Sequence, residues 1–156
     1  MAFVSDITQR KQIETNLGEE RNFITNVLDI VAAMIVVSDS KGRIVRFNRA
    51  CEALSGYSFE EVRGKYFWDF LLIPEEMEPV KEVFSNLLTQ HGLNQFENFW
   101  VTKSGERRLI SWSGTVLQDE KGMVTDVIWT GIDITVQREV RRALERNQED
   151  LRELSA

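Results

Sequence analysis

The hydrophobic period changes twice along this 156-residue chain, and that change bounds the fold more tightly than any single motif. From about Thr8 to Val31, and again from Val140 to Leu154, apolar residues recur at steps of three and four, the mark of helices with one apolar stripe. Between these stretches the period falls to two in two separate blocks. The first predicts a hairpin: a strand Met34–Val37, a turn carrying Asp39 and Gly42, and a strand Arg43–Phe47. The second predicts strands at about Gln95–Thr102, Arg107–Gln118 and Met123–Ile132, joined by the tight-turn sequences "KSGE" and "DEKG". Short helices fill Asn48 to about Phe70, interrupted at Gly56 and Gly64. After Pro74 the run "EEMEPVKEVFSNLLTQ" spaces Val80, Val83, Phe84, Leu87 and Leu88 as a helix, with Pro79 near enough to its start to be tolerated. This order predicts an α+β fold: a five-stranded antiparallel sheet with short helices on one face, flanked by N- and C-terminal amphipathic helices.

The flanking helices have the pattern of coiled coils. Ile13, Leu17, Ile24, Val27 and Val31 form one seam, with Glu20 its polar member. Val140, Leu144, Asn147, Leu151 and Leu154 form another, with Arg141, Arg142, Glu145, Arg146 and Glu149 on the remaining faces. An Asn on a seam costs stability and can fix register. Two readings are open for the tail: an amphipathic helix packed on its own domain, or a parallel coiled coil between two chains. Its length and its charged end favour the second, and with it a homodimer.

The strands add a second indication of assembly. Alternation puts Trp100, Ile110, Trp112, Val116, Val127 and Trp129 on one face of the sheet. The other face also reads apolar, with Phe99, Val101, Leu109, Leu117, Val124, Ile128 and Ile132. A half-buried antiparallel sheet keeps one face polar. The outer face is therefore expected to be covered by a terminal helix, a second chain or both.

Charge and composition exclude several functions. A formal charge of −6 argues against a nucleic-acid partner, and the short basic runs "QRK" and "QREVRR" read as solvated helix faces. The longest apolar run, Ile30–Val37, is far shorter than the ~20 residues that span a bilayer, so no direct membrane contact is expected. The start of the chain has no secretory signal pattern, and the single cysteine, Cys51, fits a reducing compartment; a cytoplasmic location is expected. His91 lies in a predicted loop without a nucleophile partner, and one His with one Cys makes a poor metal set. Glu60–Glu61 and Glu75–Glu76 fall at predicted helix starts, where carboxylates complement the helix dipole. No catalytic or metal residues are assigned, and the chain is not expected to be an enzyme.

Taken in order, "SDSKGRI", "NRACEALSGYSFEEVRGK", "WVTKSGERRLISWS", "LQDEKGMV" and "GIDIT" resemble a bacterial PAS domain with its C-terminal extension (the PAC motif), over about Ala32 to Thr135. In that family the last strand ends in Asp-Ile-Thr and a signalling helix leaves the domain. The resemblance therefore explains a doubled motif, "VSDITQRKQIE" at Val4–Glu14 and "GIDITVQREVRRALE" at Gly131–Glu145. It implies three parts: residues 1–31 as the end of an upstream PAS repeat plus a linker helix, 32–134 as the PAS domain, and 135–156 as a C-terminal signalling helix. Asp133 and Thr135 become candidate caps of the exit helix, as Asp6 would be for the first copy. Leu17, Ile24, Val31, Val140, Leu144, Leu151 and Leu154 become candidate dimer and signalling positions.

PAS domains often hold a small molecule between helices and inner sheet face. The segment "GKYFWDFL" has Phe67 where light-sensing LOV members carry a flavin-reactive cysteine, and Trp100, Ile110 and Gly131 replace their polar flavin contacts; both argue against a photoactive flavin. The haem-binding members' histidine position falls at about Lys81, which argues against haem, while FAD stays open. The cofactor, if any, is unknown. Trp68, Trp100, Ile110, Trp112, Val127 and Trp129 are the candidate pocket, either filled by its own aromatics or an aromatic-walled site for a flat or cationic ligand. The resemblance implies a non-catalytic sensory and relay module of a two-component or related signal-transduction protein. Its partners in the parent chain would be an upstream PAS domain and an output domain of histidine-kinase or diguanylate-cyclase type. The alternative is a ligand-free structural dimerisation or spacer module.

Overall fold

The computed structural model describes residues 2–30 and 32–155, without the side chains of residues 2–7, 25, 27–30, 93, 94 and 155. The chain forms two compact units, Met1–Ala32 and Ala33–Ala156.

The first unit is one helix, α1 (Ala2–Ile30). It begins earlier than the apolar spacing predicts and takes in Val4–Thr8, whose counterpart Gly131–Thr135 instead crosses from strand to helix. Away from a neighbouring strand, helix is the state that pairs these backbone groups internally. Ile13, Leu17 and Ile24 are all exposed within this unit, as is Phe23 beside them. Val31 lies outside the described residues, and so do the side chains of Asp6 and Val27.

The second unit is the predicted α+β fold. Strands β1 (Met34–Asp39), β2 (Ile44–Phe47), β3 (Gly92–Val101), β4 (Arg107–Gln118) and β5 (Val124–Asp133) form one antiparallel sheet in the order β2-β1-β5-β4-β3. Helices α2 (Arg49–Ser55), α3 (Phe59–Val62) and α4 (Pro74–Gln90), with a 3-10 turn at Phe67–Asp69, lie between β2 and β3 in sequence. The helix α5 (Thr135–Ser155) leaves from the end of β5.

Local chemistry sets the boundaries. Asn48 caps α2 by accepting the Cys51 N–H, and the same side chain accepts the Ile35 N–H and donates to the Ala33 carbonyl, fastening α2 to the start of β1. Ser58 caps α3 through the Glu61 N–H. Two turns share one design: Asp39 Oδ1 accepts the N–H groups of Lys41 and Arg43, and Asp119 Oδ1 those of Lys121 and Met123. Gly42, at φ +95°, lies under the Trp68 ring, where a Cβ would come within 2.3 Å of Cη2.

The inner face follows the alternation: Trp100, Ile110, Trp112, Val127 and Trp129 are buried against Val80, Phe84 and Leu87 of α4, and Val116 packs on the same cluster. Each fully buried Leu, Ile or Val in such a core contributes roughly 1.5–3 kcal/mol. One residue changes sides. The register slips between Leu117 and Gln118, and Val124, expected on the outer face, packs on the inner core instead. On the outer face Leu109 is buried where α5 begins, Phe99, Val101 and Ile128 are half-buried, and Leu117 and Ile132 stay exposed.

Both sheet edges are partly occupied by the chain itself. Along β2, Ile44 donates to the Lys65 carbonyl and accepts from Gly64, and Arg43 bridges to Tyr66. Along β3, Val101 donates to the Leu71 carbonyl, Leu72 bridges to Trp100, and the Phe99 N–H reaches Glu76 Oε2 at 2.9 Å.

Candidate functional site: an aromatic cavity and a helix junction

Two glycines in the middle of the sheet position the indoles. Gly131 on β5 pairs with Trp112 on β4, and Gly114 on β4 pairs with Trp129 on β5. Without a Cβ, each lets the neighbouring indole lie flat on the strand: a Cβ at Gly131 would meet Trp112 Cζ3 at 2.5 Å, and one at Gly114 would meet Trp129 Cε3 at 3.1 Å. Trp112 Nε1 donates to Asn98 Oδ1 at 2.7 Å in a buried bond, and its ring lies 5.0 Å from that of Trp100. Trp129 stacks on Phe84, yet its buried Nε1 has no hydrogen-bond acceptor.

These side chains surround a cavity of about 30 Å³, lined by Val36, Phe67, Val80, Val83, Phe96, Asn98, Trp100, Trp112 and Trp129. It has room for a water molecule or two. Among the described residues that line it, Asn98 alone brings an amide and none carries a charge. Three of the six residues expected from the sequence therefore meet there: Trp100, Trp112 and Trp129. Ile110 and Val127 are fully buried in the core without lining the cavity. Trp68 does not line it either. The 3-10 turn sends Phe67 into the core and leaves Trp68 half-buried, stacked on Tyr66 at 5.2 Å with the Lys81 ammonium 5.5 Å from its ring. Cation–π attraction thus operates within the protein at Trp68. Asn98 and Phe96 were missed in the sequence although they continue the Trp100 alternation.

The second feature is the junction of β5 with α5. Asp133 Oδ1 accepts the Thr135 N–H at 3.0 Å and the Thr135 hydroxyl at 2.6 Å. Its other oxygen, Oδ2, takes two donors of Arg108, at 2.8 and 2.6 Å. Thr135 Oγ1 in turn accepts the Leu109 N–H at 2.8 Å, so this hydroxyl ties the helix start to β4 rather than capping its own helix. Burial pushes the Asp133 carboxyl up, but the Thr135 hydroxyl and N–H and the Arg108 guanidinium outweigh it and hold Asp133 below the usual carboxylate range. One turn further on, Arg138 Nη2 reaches both oxygens of Glu97 on β3, at 2.9 Å each. Beyond this point α5 is exposed: Val140, Leu144, Leu151 and Leu154 are 55–85 % accessible within the single chain.

The other candidates take structural places. Cys51 is buried, its thiol pushed up to about 12 by burial. His91 closes α4 in the left-handed region at φ 65°, with Gln118 beside its ring. Glu60, Glu61, Glu75 and Glu76 occupy the first turns of α3 and α4. Among the described residues, no group of three His, Cys, Asp or Glu converges as a metal site, and no helix is long and apolar enough to cross a membrane.

Residues 32–136 match the family described as PAS domain. Among curated proteins, the chain is 27 % identical over 130 residues to the oxygen sensor protein DosP of Escherichia coli K12, covering 83 % of this chain and 16 % of that protein. It is 29 % identical over 136 residues to the cyclic di-GMP phosphodiesterase PdeR of the same organism, covering 86 % of this chain and 20 % of that protein. The chain thus spans a fifth or less of these relatives. Among solved structures it resembles the PAS domain of a Colwellia psychrerythraea protein, with 26 % identity, TM-score 0.66, and coverage of 76 % of this chain and 98 % of that one. With the sheet order, the aromatic inner face and the Asp-Ile-Thr junction already in place, these matches lead to one conclusion: the chain belongs to the PAS domain family, the sensory domains of signalling proteins.

Proposed function

We propose that this domain is the sensory and relay module of a bacterial multi-domain signalling protein, acting as a cytoplasmic homodimer and passing its state on through α5. The observation that carries the reading is the continuity of β5: Trp129 lines the cavity and Asp133, four residues later on the same strand, holds the start of α5 through Thr135. A change in packing around the indoles would move the strand that anchors the helix, and a few kcal/mol of differential binding between two states is enough for such a switch. The exposed seam of Val140, Leu144, Leu151 and Leu154 supports association of two α5 helices, with Leu17 and Ile24 of α1 in a like role. The second copy of Asp-Ile-Thr at Asp6–Thr8 supports an upstream PAS repeat in the parent chain. The name of PdeR, a cyclic di-GMP phosphodiesterase, supports an output domain tied to cyclic di-GMP, with a histidine kinase as the alternative.

A second reading is favoured by the cavity itself. At about 30 Å³ it is filled by its own aromatics, as a ligand-free relay or spacer module would be. Native mass spectrometry of the freshly purified chain, compared with the denatured chain, decides between the two. A dimer with extra mass that is lost on denaturation supports the sensor and weighs its ligand. A bare dimer supports the spacer. A bare monomer refutes the homodimer.

A further inference from the structure

Two anchors among the described residues hold the start of α5, and they differ in what they are connected to. The first, Asp133 with Thr135, Arg108 and Leu109, belongs to the inner strands β4 and β5. The second is the Arg138–Glu97 pair, and Glu97 belongs to β3, an edge strand with β4 as its one neighbour in the sheet. On its outer side β3 is tied at residues 99–101 by Glu76, Leu71 and Leu72, whereas at residues 96–98 its ladder partner is β4; a segment with fewer such ties opens more easily.

The neighbours of Glu97 are the reason this matters. Phe96 and Asn98, on either side of it, both line the cavity, and Asn98 holds the Trp112 indole at 2.7 Å. Strand alternation sends their side chains to the inner face and that of Glu97 to the outer face, toward α5. A displacement of the cavity wall at residues 96–98 must therefore carry the Glu97 carboxylate with it. The strand also slips register between Leu93 and Phe96, immediately before this segment, so its ladder is already interrupted there.

The helix has room to respond. Between its first turns and strands β3 and β4 lies an open groove of about 210 Å³, bordered by Gln95, Glu97, Ser111, Ile134, Gln137, Arg138 and Arg141. Polar contacts rather than close apolar packing hold α5 at this groove. With the Arg138–Glu97 pair made, the chain is fixed at Ile134, which donates to the Leu109 carbonyl, and again one turn later; breaking it removes the second of these anchors.

We propose that Glu97 and Arg138 are positioning residues that couple the cavity wall on β3 to the direction of α5. The inference rests on the relay reading above and adds the route. Displacing Phe96 or Asn98 loosens the pair and frees the first turns of α5, leaving the Asp133 junction intact.

Hydrogen–deuterium exchange of the full chain, read on peptides covering 134–142, tests the route against its alternatives. Glu97→Gln and Arg138→Gln are each expected to speed exchange there on the order of threefold, the double variant no further, since both remove one contact. Asn98→Ala is expected to speed the same peptides in the native background and to add nothing in the Arg138→Gln background. Phe96→Leu serves as a milder perturbation of the same wall should Asn98→Ala fail to fold. Peptides from β1 and α2 report global loosening, and the ratio to them is the quantity compared. If Asn98→Ala keeps its full effect in the Arg138→Gln background, the relay stands and this route is refuted. If neither wall variant alters α5 in the native background, the relay from the cavity falls, and the route with it.

Discussion

Alanine at Gly131 tests how tightly the two central glycines hold the indoles. Gly131 has an ordinary extended backbone, so strand conformation alone would favour Ala, by roughly 0.5–1 kcal/mol, because glycine loses more entropy on folding. Space opposes it. The new Cβ would lie 2.5, 2.7 and 2.8 Å from Trp112 Cζ3, Cε3 and Cη2, all on one rigid ring. Relief requires the indole to retreat by about 1 Å, to ordinary contact distance. That movement strains its 2.7 Å bond to Asn98 and its contact with Trp100. Overpacking typically costs about 1–3 kcal/mol, and weakening a buried hydrogen bond about 1 kcal/mol more. Net of the backbone gain, Gly131→Ala should lose about 1–3.5 kcal/mol, or roughly 4–14 °C in Tm for a domain this size. Urea denaturation followed by tryptophan fluorescence measures it directly. Gly114→Ala is the internal comparison: its nearest atom is Leu87 Cδ2 at 3.0 Å, the end of a flexible side chain, so its cost should be smaller. Equal or greater stability of Gly131→Ala would mean that the ring swings into the cavity at little cost, and the rigid indole layer would be refuted.

Other outcomes follow from the same contacts. Ser38 is fully buried and its hydroxyl has no partner, so Ser38→Ala should raise stability by up to about 1 kcal/mol; a loss of that size in denaturant melts would contradict it. The Cys51 thiol, pushed up to about 12 by burial, should resist disulfide-exchange reagents at pH 8 and yield one equivalent only after denaturation, so rapid reaction of the native protein would refute its burial. Asp133 is held below the usual carboxylate range, so its contribution is fully present above the unfolded carboxylate's pKa of about 4 and is lost as pH falls through the lower folded value. Asp133→Asn should therefore cost about 1 kcal/mol at pH 7 and progressively less in acid, a convergence that denaturation at pH 7 and pH 3 would reveal. Leu144→Asp places a charge on the exposed seam of α5 and should leave the domain's melting unchanged while shifting sedimentation toward monomer; an unchanged mass would remove α5 from the interface.

Strand positions were legible in the sequence because alternation and turn chemistry agreed: Arg107–Gln118 has the expected bounds, and both Asp-x-Lys-Gly turns close with the aspartate bonds such turns require. The inner-face tryptophans followed from the same period of two. What failed was anything decided by a local slip or by absent partners. Val124 changed faces because the register shift lies between it and Asp126, reversing the strand's first side chain relative to the rest, and a shift leaves no trace in composition. Trp68 was placed in the pocket from its neighbours, but within a 3-10 turn consecutive side chains diverge, and Phe67 took the inner place. The extended reach of α1 through Val4–Thr8 was hidden because the motif's strand character at Gly131–Asp133 depends on a paired β4. Asn98 could have been found, two residues before Trp100 on the same face, by asking which polar side chain the buried indoles need.

The partly covered edges of the sheet bear on how such a domain lives beside its own kind. Short linkers between similar domains impose high local concentrations, and open strands of similar sequence under those conditions exchange partners readily. Here residues 64–66 engage the β2 edge at Arg43 and Ile44, and Leu71, Leu72 and Glu76 engage the outer side of β3 at residues 99–101. Sister domains strung on one chain would then find these stretches of each edge already engaged, which limits where one ladder could pair with another.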